Sequence, residues 1–349
     1  MKNVARASAQ DRADLFRIAA EASGLTPALI EKDFWVCWTL QRLFALPVTA
    51  PHLLFKGGTT LSKVYKVIQR FSEDIDISVS REFIRPGEAD AVENAPSRAQ
   101  REKELKRLKD AFVQVIGEVI YPELRVAIAE ELGQKGWHLV RDNYDPGTLL
   151  FTYPVSLSAT LGRMASGDKA FGVEYILPTV RIEMGGRSDL WPSEDAVVTA
   201  YAAEAEPTAF EQPNIAVRIL AVERTFWEKA TLLHNEFYRP LVKGRGDRIS
   251  RHYSDLTRLT LHPELGPRCL AARDIAARVV QHKNLYYRDN WSRYGEVLTG
   301  GLHLLPGPEV EGVLRADFAQ MSSMFFGEPQ SFDEVLATLA EMERTINWK

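Results

Sequence analysis

Cysteine is nearly absent from this sequence, with only Cys37 and Cys269 in 349 residues. Two distant thiols, with no Cys-x-x-Cys pair, make neither a disulfide framework nor a cysteine zinc site. Long apolar runs are missing too. None reaches the ~20 residues that span a bilayer, and the opening stretch MKNVARASAQDRADLF has no apolar core of signal-peptide length. Basic residues are not in excess, since 43 Lys and Arg face 47 Asp and Glu, a formal net charge of −4. Any nucleic acid would have to be held by a local basic patch, not by the field of the whole chain. No repeat or low-complexity tract is present. These absences lead us to expect a reduced, soluble, cytoplasmic protein with no membrane segment.

What is present is ordinary globular material: 45% hydrophobic and 26% charged residues, in a chain long enough for two domains. Two helices are predicted at the start. Thr26 and Pro27 form a cap and first-turn pair for the second of these, ALIEKDFWVCWTLQRLFAL, where apolar residues recur at helical spacing. A short strand, His52 to Phe55, runs into Lys56-Gly57-Gly58-Thr59-Thr60, and a helix follows from about Leu61 to Ile68. Asp74-Ile75-Asp76-Ile77-Ser78-Val79 alternates polar and apolar with period two, the mark of a half-buried strand. Arg85 to Ser97 reads as a loop, leading into a charged helix with a stripe at Leu105, Leu108, Phe112, Val115 and Val119. Strand-like runs are expected at Leu124–Ile128, Leu149–Val155, Tyr175–Met184 and Ala196–Ala202. From about Ile219 the chain turns helical: Ala221–Phe237, His252–Leu259, Ala271–Leu285, Val310–Phe325 and Phe332–Ile346. The expected organisation is α+β, a mixed α/β domain over 1–215 and an α-helical domain over 216–349.

One constellation carries chemistry. Glycines at a strand-to-helix turn let a backbone approach a triphosphate closely, and the N–H groups at a helix start face phosphate oxygens. Magnesium prefers carboxylate oxygens together with substrate phosphates. Asp74 and Asp76, one residue apart on a strand, point to the same face, while Ile75 and Ile77 turn to the core. Two metals held there would activate an attacking hydroxyl and stabilise a leaving pyrophosphate. A lone Gly-Gly is usually a turn, and a lone Asp-x-Asp usually a solvated strand face. The order strand, Gly-Gly-Thr-Thr, helix, Asp-x-Asp strand is much more specific.

FKGGTTLSKVY followed by RFSEDIDIS strongly resembles the signature of the AbiEii/AbiGii-type toxin nucleotidyltransferases, relatives of the mycobacterial toxins that add nucleotides to tRNA. The resemblance is tightest over 53–80 and extends more loosely over about 25–260, through Lys229 and Arg251-His252-Tyr253-Ser254-Asp255-Leu256. His252 stands where that family commonly has an acid. The resemblance implies a polymerase-β-like nucleotidyltransferase core, NTP as substrate, magnesium or manganese as cofactor, a tRNA 3′ end as acceptor and a cognate antitoxin protein as partner. It implies Asp74 and Asp76 as metal ligands, and a third carboxylate from a neighbouring strand. Glu183 is the candidate, because Val180, Ile182 and Met184 share one face and leave Arg181 and Glu183 on the other; a salt-bridged surface glutamate is the alternative, and Asp189 is the reserve. Gly57, Gly58, Thr59 and Thr60 would cradle the triphosphate, and Asp255 would join the catalytic set.

Lys229 has a physical signal of its own. Val222, Phe226, Leu233 and Phe237 mark the apolar face of its helix, and Lys229 falls in the middle of that face. A buried ammonium costs several kcal/mol unless paired, so a nucleotide phosphate or Asp255 is the expected partner; otherwise the side chain snorkels outward. Arg239, Lys243, Arg245, Arg248 and Arg251, opposed only by Asp247, are either a solvated loop or the place for an RNA backbone. Tyr286, Tyr287, Trp291 and Tyr294 are expected to pack internally more than to stack bases. The leading expectation is transfer of NMP from NTP to an acceptor hydroxyl. The alternatives are the same chemistry on a small molecule or protein, and a non-catalytic nucleotide- or RNA-binding module.

Overall fold

A computed structural model describes residues 1–157, 177–244, 246, 248–321, 324–326 and 330–347. The chain forms two compact units, Met1–Val64 with Ser72–Ala89 and Lys106–Ile219, and Tyr65–Phe71 with Asp90–Leu105 and Leu220–Lys349. Among the described residues no helix is long and apolar enough to cross a membrane.

The first unit is built on a seven-stranded mixed sheet: β1 (Leu53–Lys56), β2 (Ile75–Val79), β3 (His138–Arg141), β4 (Thr148–Thr152), β5 (Thr179–Gly185), β6 (Ser193–Thr199) and β7 (Asn214–Leu220), in the order β3-β4-β5-β2-β1-β7-β6. β2 runs antiparallel to β1 and parallel to β5. It is therefore a central strand, with Ile75 and Ile77 in the core and Asp76 half-buried between them; Asp74, half-buried too, stands just before the strand's first residue instead of inside it as expected. The fold is α+β with a mixed sheet, as expected from the sequence.

Helix Pro27–Leu43 covers the apolar side of this sheet. Thr26 accepts a hydrogen bond from the Leu29 N–H and Pro27 fills the first turn, so the helix starts where its cap residues require. Trp35 stacks on Tyr153 and Trp38 on Phe151, and Phe34 meets Phe16. Each large apolar side chain so buried contributes about 1.5–3 kcal/mol.

Several elements differ from the sequence reading. Leu124–Ile128 lies inside the helix Tyr121–Leu132, which follows the Arg98–Val115 helix through one π-turn, Ile116–Ile120. The short apolar run LRVAI was too brief to separate strand from helix by period. β6 ends at Thr199, and Tyr201–Ala205 is helical instead of extended. β3 and β7 are additional strands, and the first of the expected strand-to-helix elements turns helical at Gly57, ending at Lys63. Residues 175–176 of the expected Tyr175–Met184 strand lie outside the described residues.

In the second unit the expected helices form as Val222–Phe237, Ser250–Leu261, Arg273–Tyr286, Pro308–Gln320 and Phe332–Asn347, with the additional helix Leu265–Ala271 after the second; the fourth stops at Gln320, short of the expected Phe325, which bridges to Arg70 instead. Cys269, like Cys37 in the first unit, is a free, buried thiol.

Candidate active site

The geometry of the first unit turns on the contact between Gly57 and Asp76. β1 ends at Lys56, and the backbone enters the Gly57–Lys63 helix at once, which places Gly57 at φ +83°. That is left-handed territory in which glycine costs least. A Cβ at Gly57 would fall 1.9 Å from Asp76 Oδ2 and 2.6 Å from its Cγ. The missing side chain thus makes room for this carboxylate. Among the side chains at the turn, Thr59 and Thr60 are buried. Thr60 Oγ1 donates back to the Gly57 carbonyl at 2.8 Å, and Thr59 Oγ1 donates to the Asp74 carbonyl at 2.6 Å and lies 3.0 Å from Ser72 Oγ. The Gly-Gly-Thr-Thr run therefore clasps the approach to both aspartates: Gly57 abuts Asp76, and Thr59 fixes the backbone of Asp74.

Across the sheet, register brings further groups into one row. Lys56 pairs with Asp76 on the β1 side, and Glu183 pairs with Asp76 on the β5 side. Directly paired residues on adjacent strands project to the same face at roughly 5 Å spacing, so Glu183 and Asp76 are neighbours on the polar face. β5 alternates as its sequence implies, with Val180, Ile182 and Met184 buried. Glu183 also takes part in an ion-paired chain: Arg181 Nε donates to Glu183 Oε1 at 2.7 Å, and Arg181 Nη1 to Asp142 Oδ2 at 2.9 Å. Lys56 Nζ donates to Ser188 Oγ at 3.1 Å, and Asp189 beside it is buried.

Among the described residues no three Asp, Glu, His or Cys side chains converge as a ready-made cation site. Magnesium is commonly held by one or two carboxylates plus substrate phosphates. Two half-buried aspartates at the start of one strand, with a side-chain-free backbone against Asp76, are a donor set of that kind.

Three consecutive charged residues in helix Pro27–Leu43 escaped the sequence reading, and all are buried: Glu31, Lys32 and Asp33. Lys32 Nζ donates to the carbonyls of Thr179 (2.6 Å) and Leu177 (2.9 Å) and pairs with Glu73 at 3.3 Å, one residue before Asp74. Asp33 pairs with Lys63 at the end of the glycine helix, and its other oxygen accepts the Tyr201 N–H at 2.7 Å. Lys63 Nζ also sits 3.1 Å from the centre of the Tyr201 ring. The sequence signal for them is their adjacency within an otherwise apolar helix, which periodicity alone does not interpret.

Lys229 and Asp255 belong to the second unit and meet there. Lys229 is buried, as its place on the apolar helix face implied, and its Nζ donates to Asp255 Oδ2 at 2.9 Å. Arg70 closes on the same carboxylate from the other side, Nε to Oδ1 at 2.8 Å and Nη2 to Oδ2 at 2.9 Å. Burial pushes the Asp255 carboxyl up, but Arg70 and then Lys229 outweigh it and hold the group well below the ordinary carboxylate range. His252 Nδ1 lies 3.3 Å from Lys229 Nζ. Because an ammonium only donates, Nδ1 is the acceptor there. Burial, and then Lys229 and Arg251, push the imidazole well below its usual range and keep it neutral. Arg70 itself was missed by the sequence reading. The segment carrying it makes one isolated antiparallel bridge, Arg70 to Phe325, with Phe71 N–H donating to the Met324 carbonyl at 2.7 Å and Phe326 N–H to the Gln69 carbonyl at 2.8 Å.

A family model described as nucleotidyl transferase AbiEii toxin, type IV toxin–antitoxin system, matches residues 38–338. The chain belongs to this family. It is accordingly a nucleotidyltransferase, with a nucleotide substrate and a cognate antitoxin. Among solved structures, it is similar to MenT4, a nucleotidyltransferase toxin from Mycobacterium tuberculosis H37Rv, at 15% identity and a TM-score of 0.43, covering 95% of this chain and 96% of that one. No curated protein matches.

The AbiEii match covers both the glycine turn with its aspartates and the Arg70–Asp255–Lys229 cluster. The basic segment is partly in view. Lys243 is exposed, Arg239 and Arg248 are half-buried, and Asp317 accepts the Arg248 and Ser250 N–H groups at 2.8 and 2.9 Å. Arg245 and Asp247 lie outside the described residues. In the aromatic cluster Tyr286 and Tyr294 are buried, with Tyr286 Oη donating to Glu93 Oε2 at 2.5 Å, whereas Tyr287 is exposed.

Proposed function

We propose that the chain transfers NMP from NTP to an acceptor hydroxyl, that the reaction is magnesium-dependent, and that the acceptor is a tRNA 3′ end. The observation that carries the chemistry is the glycine turn closed on both aspartates, Gly57 cleared of side chain against Asp76 in β2 and Thr59 holding the backbone of Asp74 just before it. The acceptor oxygen attacks the α-phosphorus, a new O–P bond forms, and the α–β bridging bond breaks to release pyrophosphate. The hydroxyl proton is lost to solvent. A bound magnesium would supply charge neutralisation for the phosphates and the attacking oxygen.

In this reading Asp74 and Asp76 bind the metal, and Glu183 joins them by exchanging its Arg181 contact. The backbone of Gly57 and Gly58 lies against the triphosphate, and Thr59 and Thr60 hold that backbone in place. Lys229 contributes positive charge to the phosphates, with Asp255 as its anchor. The tRNA acceptor is supported by the sequence resemblance and by the density of cations over Arg239–Arg251 in an acidic chain.

Incubation of the protein with each labelled NTP, magnesium, total RNA and cell lysate tests the proposal. Label is expected in the tRNA band and pyrophosphate in solution. Asp74→Ala and Asp76→Ala should abolish both while leaving the circular dichroism spectrum unchanged. Label in protein or small molecules instead would reassign the acceptor, and full activity of either variant would remove the metal assignment.

A further inference from the structure

Asp74 stands outside the ladder: β2 begins at Ile75, which pairs with Ile182 of β5. The alternation that turns Asp76 away from the core therefore does not by itself reach the residue before the strand. Thr59 holds the Asp74 carbonyl, which fixes the backbone there but not the direction of the carboxylate. The residue ahead of it is anchored. Glu73 Oε2 lies 3.3 Å from Lys32 Nζ, and the two side chains are 20% and 2% exposed. An ammonium has three protons, and here three acceptors meet them: Glu73, the Thr179 carbonyl at 2.6 Å and the Leu177 carbonyl at 2.9 Å. One buried cation thus joins the start of β5, the strand that carries Glu183, to the chain entering β2.

Lys32 belongs to helix Pro27–Leu43, which covers the apolar side of the sheet, and Ile75 is buried in the core. Glu73 and Ile75 are both held toward that side, one by charge and the other by burial. A residue between two neighbours held to one side projects to the other. We infer that Lys32 and Glu73 are positioning residues for metal binding: their ion pair pins the chain one residue ahead of Asp74 and so holds that carboxylate on the side of Asp76. This role rests on the reading of Asp74 as a metal ligand. Neither group is a ligand itself; each acts through the direction of Asp74.

Charge and position predict opposite outcomes at Lys32. It is a cation close to a cation site, so by charge alone Lys32→Met tightens metal binding. By position the same change loosens it, because Glu73 is no longer drawn to the helix. Glu73→Ala and Glu73→Gln remove the same negative charge, but only glutamine keeps an acceptor oxygen at the length that reaches Lys32. That tether persists whether or not the lysine keeps its proton, since an amide both donates and accepts.

Manganese(II) binding to the full chain, read from the fall of its free electron paramagnetic resonance signal, tests the role without turnover. Lys32→Met and Glu73→Ala should each bind about tenfold more weakly than wild type, the lower end of the cost of losing an outer partner of a metal ligand. Glu73→Gln should stay within about threefold, the effect of one nearby charge screened by water. The magnesium concentration for half-maximal transfer should rise in the same order. A purely structural role would lower the melting temperature of these variants and leave manganese affinity in place. Unchanged or tighter binding in Lys32→Met overturns the positioning role, as does a Glu73→Ala no weaker than Glu73→Gln. Should Lys32→Met not fold, the two Glu73 variants carry the comparison. Asp74→Ala separates the two levels. If it weakens manganese binding while Lys32→Met and Glu73→Ala do not, the metal reading stands and the positioning role falls; if it leaves binding unchanged, or wild type binds none, both fall.

Discussion

At Gly57 the absence of a side chain has two independent reasons, a positive φ and an aspartate oxygen where a Cβ would be. Gly57→Ala therefore has to strain the backbone, at about 1–2 kcal/mol, and displace Asp76. A displacement near 1 Å at a reacting centre costs on the order of 100-fold in rate. We expect a loss of transfer activity of that size with little change in melting temperature, and an active Gly57→Ala enzyme would detach this turn from the chemistry. His252 sets a pH dependence. Its folded pKa is depressed, so its contribution to stability is complete above the ordinary histidine range, about 6.5, and is lost as pH falls through that range, because the unfolded ring takes up a proton that the folded ring refuses. His252→Gln keeps an acceptor for Lys229 without the titration. Urea unfolding across pH 5 to 8 should show a shallower acid-side slope in the variant; identical slopes would contradict the assignment. His234, also depressed by burial, is left to contribute in both proteins.

Among the elements, the helix Pro27–Leu43 is an apolar cover that also holds buried ions. Lys63→Met removes the cation facing Asp33 and leaves a buried carboxylate uncompensated, a cost of about 3–5 kcal/mol. Asp33→Asn added to Lys63→Met keeps an oxygen for the Tyr201 N–H and should recover much of the loss in urea unfolding. A double variant no better than the single one would mean that packing, not charge, is at stake. These ions also mark the limit of what sequence could reveal. The Asp-x-Asp strand, the glycine turn, the Thr26–Pro27 cap and the buried position of Lys229 were legible, because each is a local pattern of polarity or backbone preference. Glu31, Lys32, Asp33 and Arg70 were not, since a buried charge is intelligible only with its partner, and those partners are distant in sequence. β7 did carry a signal, with Ile215, Val217 and Ile219 buried in alternation, but the helical pattern beginning just after it drew the reading there. β3 is a four-residue edge strand with one buried side chain, too little for any period to register.

At the scale of the molecule, the acidic balance sets the terms for a polyanionic acceptor. A chain of net charge −4 repels RNA except where cations gather, and Arg239–Arg251 is the densest such stretch. Neutralising Lys243, Arg245 and Arg248 together should weaken tRNA binding and flatten its log–log salt dependence, by roughly 0.7 for each single-strand phosphate left without its cation. Affinity for NTP should hold. An unchanged salt slope would exclude the segment from acceptor binding, and a parallel fall in NTP affinity would make it part of the nucleotide pocket.

The seven residues Tyr65–Phe71 leave the first unit after the glycine helix, pair with the stretch around Phe325, and return at Ser72, just ahead of Asp74. Such threading makes the C-terminal helices a poor module. A fragment cut at the 219/220 junction would lack the backbone partners of Met324 and Phe326 and the guanidinium on Asp255. Gene fusions or exchanges at that point would therefore transplant an incomplete fold. The functional cassette of this chain is discontinuous in the gene, and it has to be inherited whole.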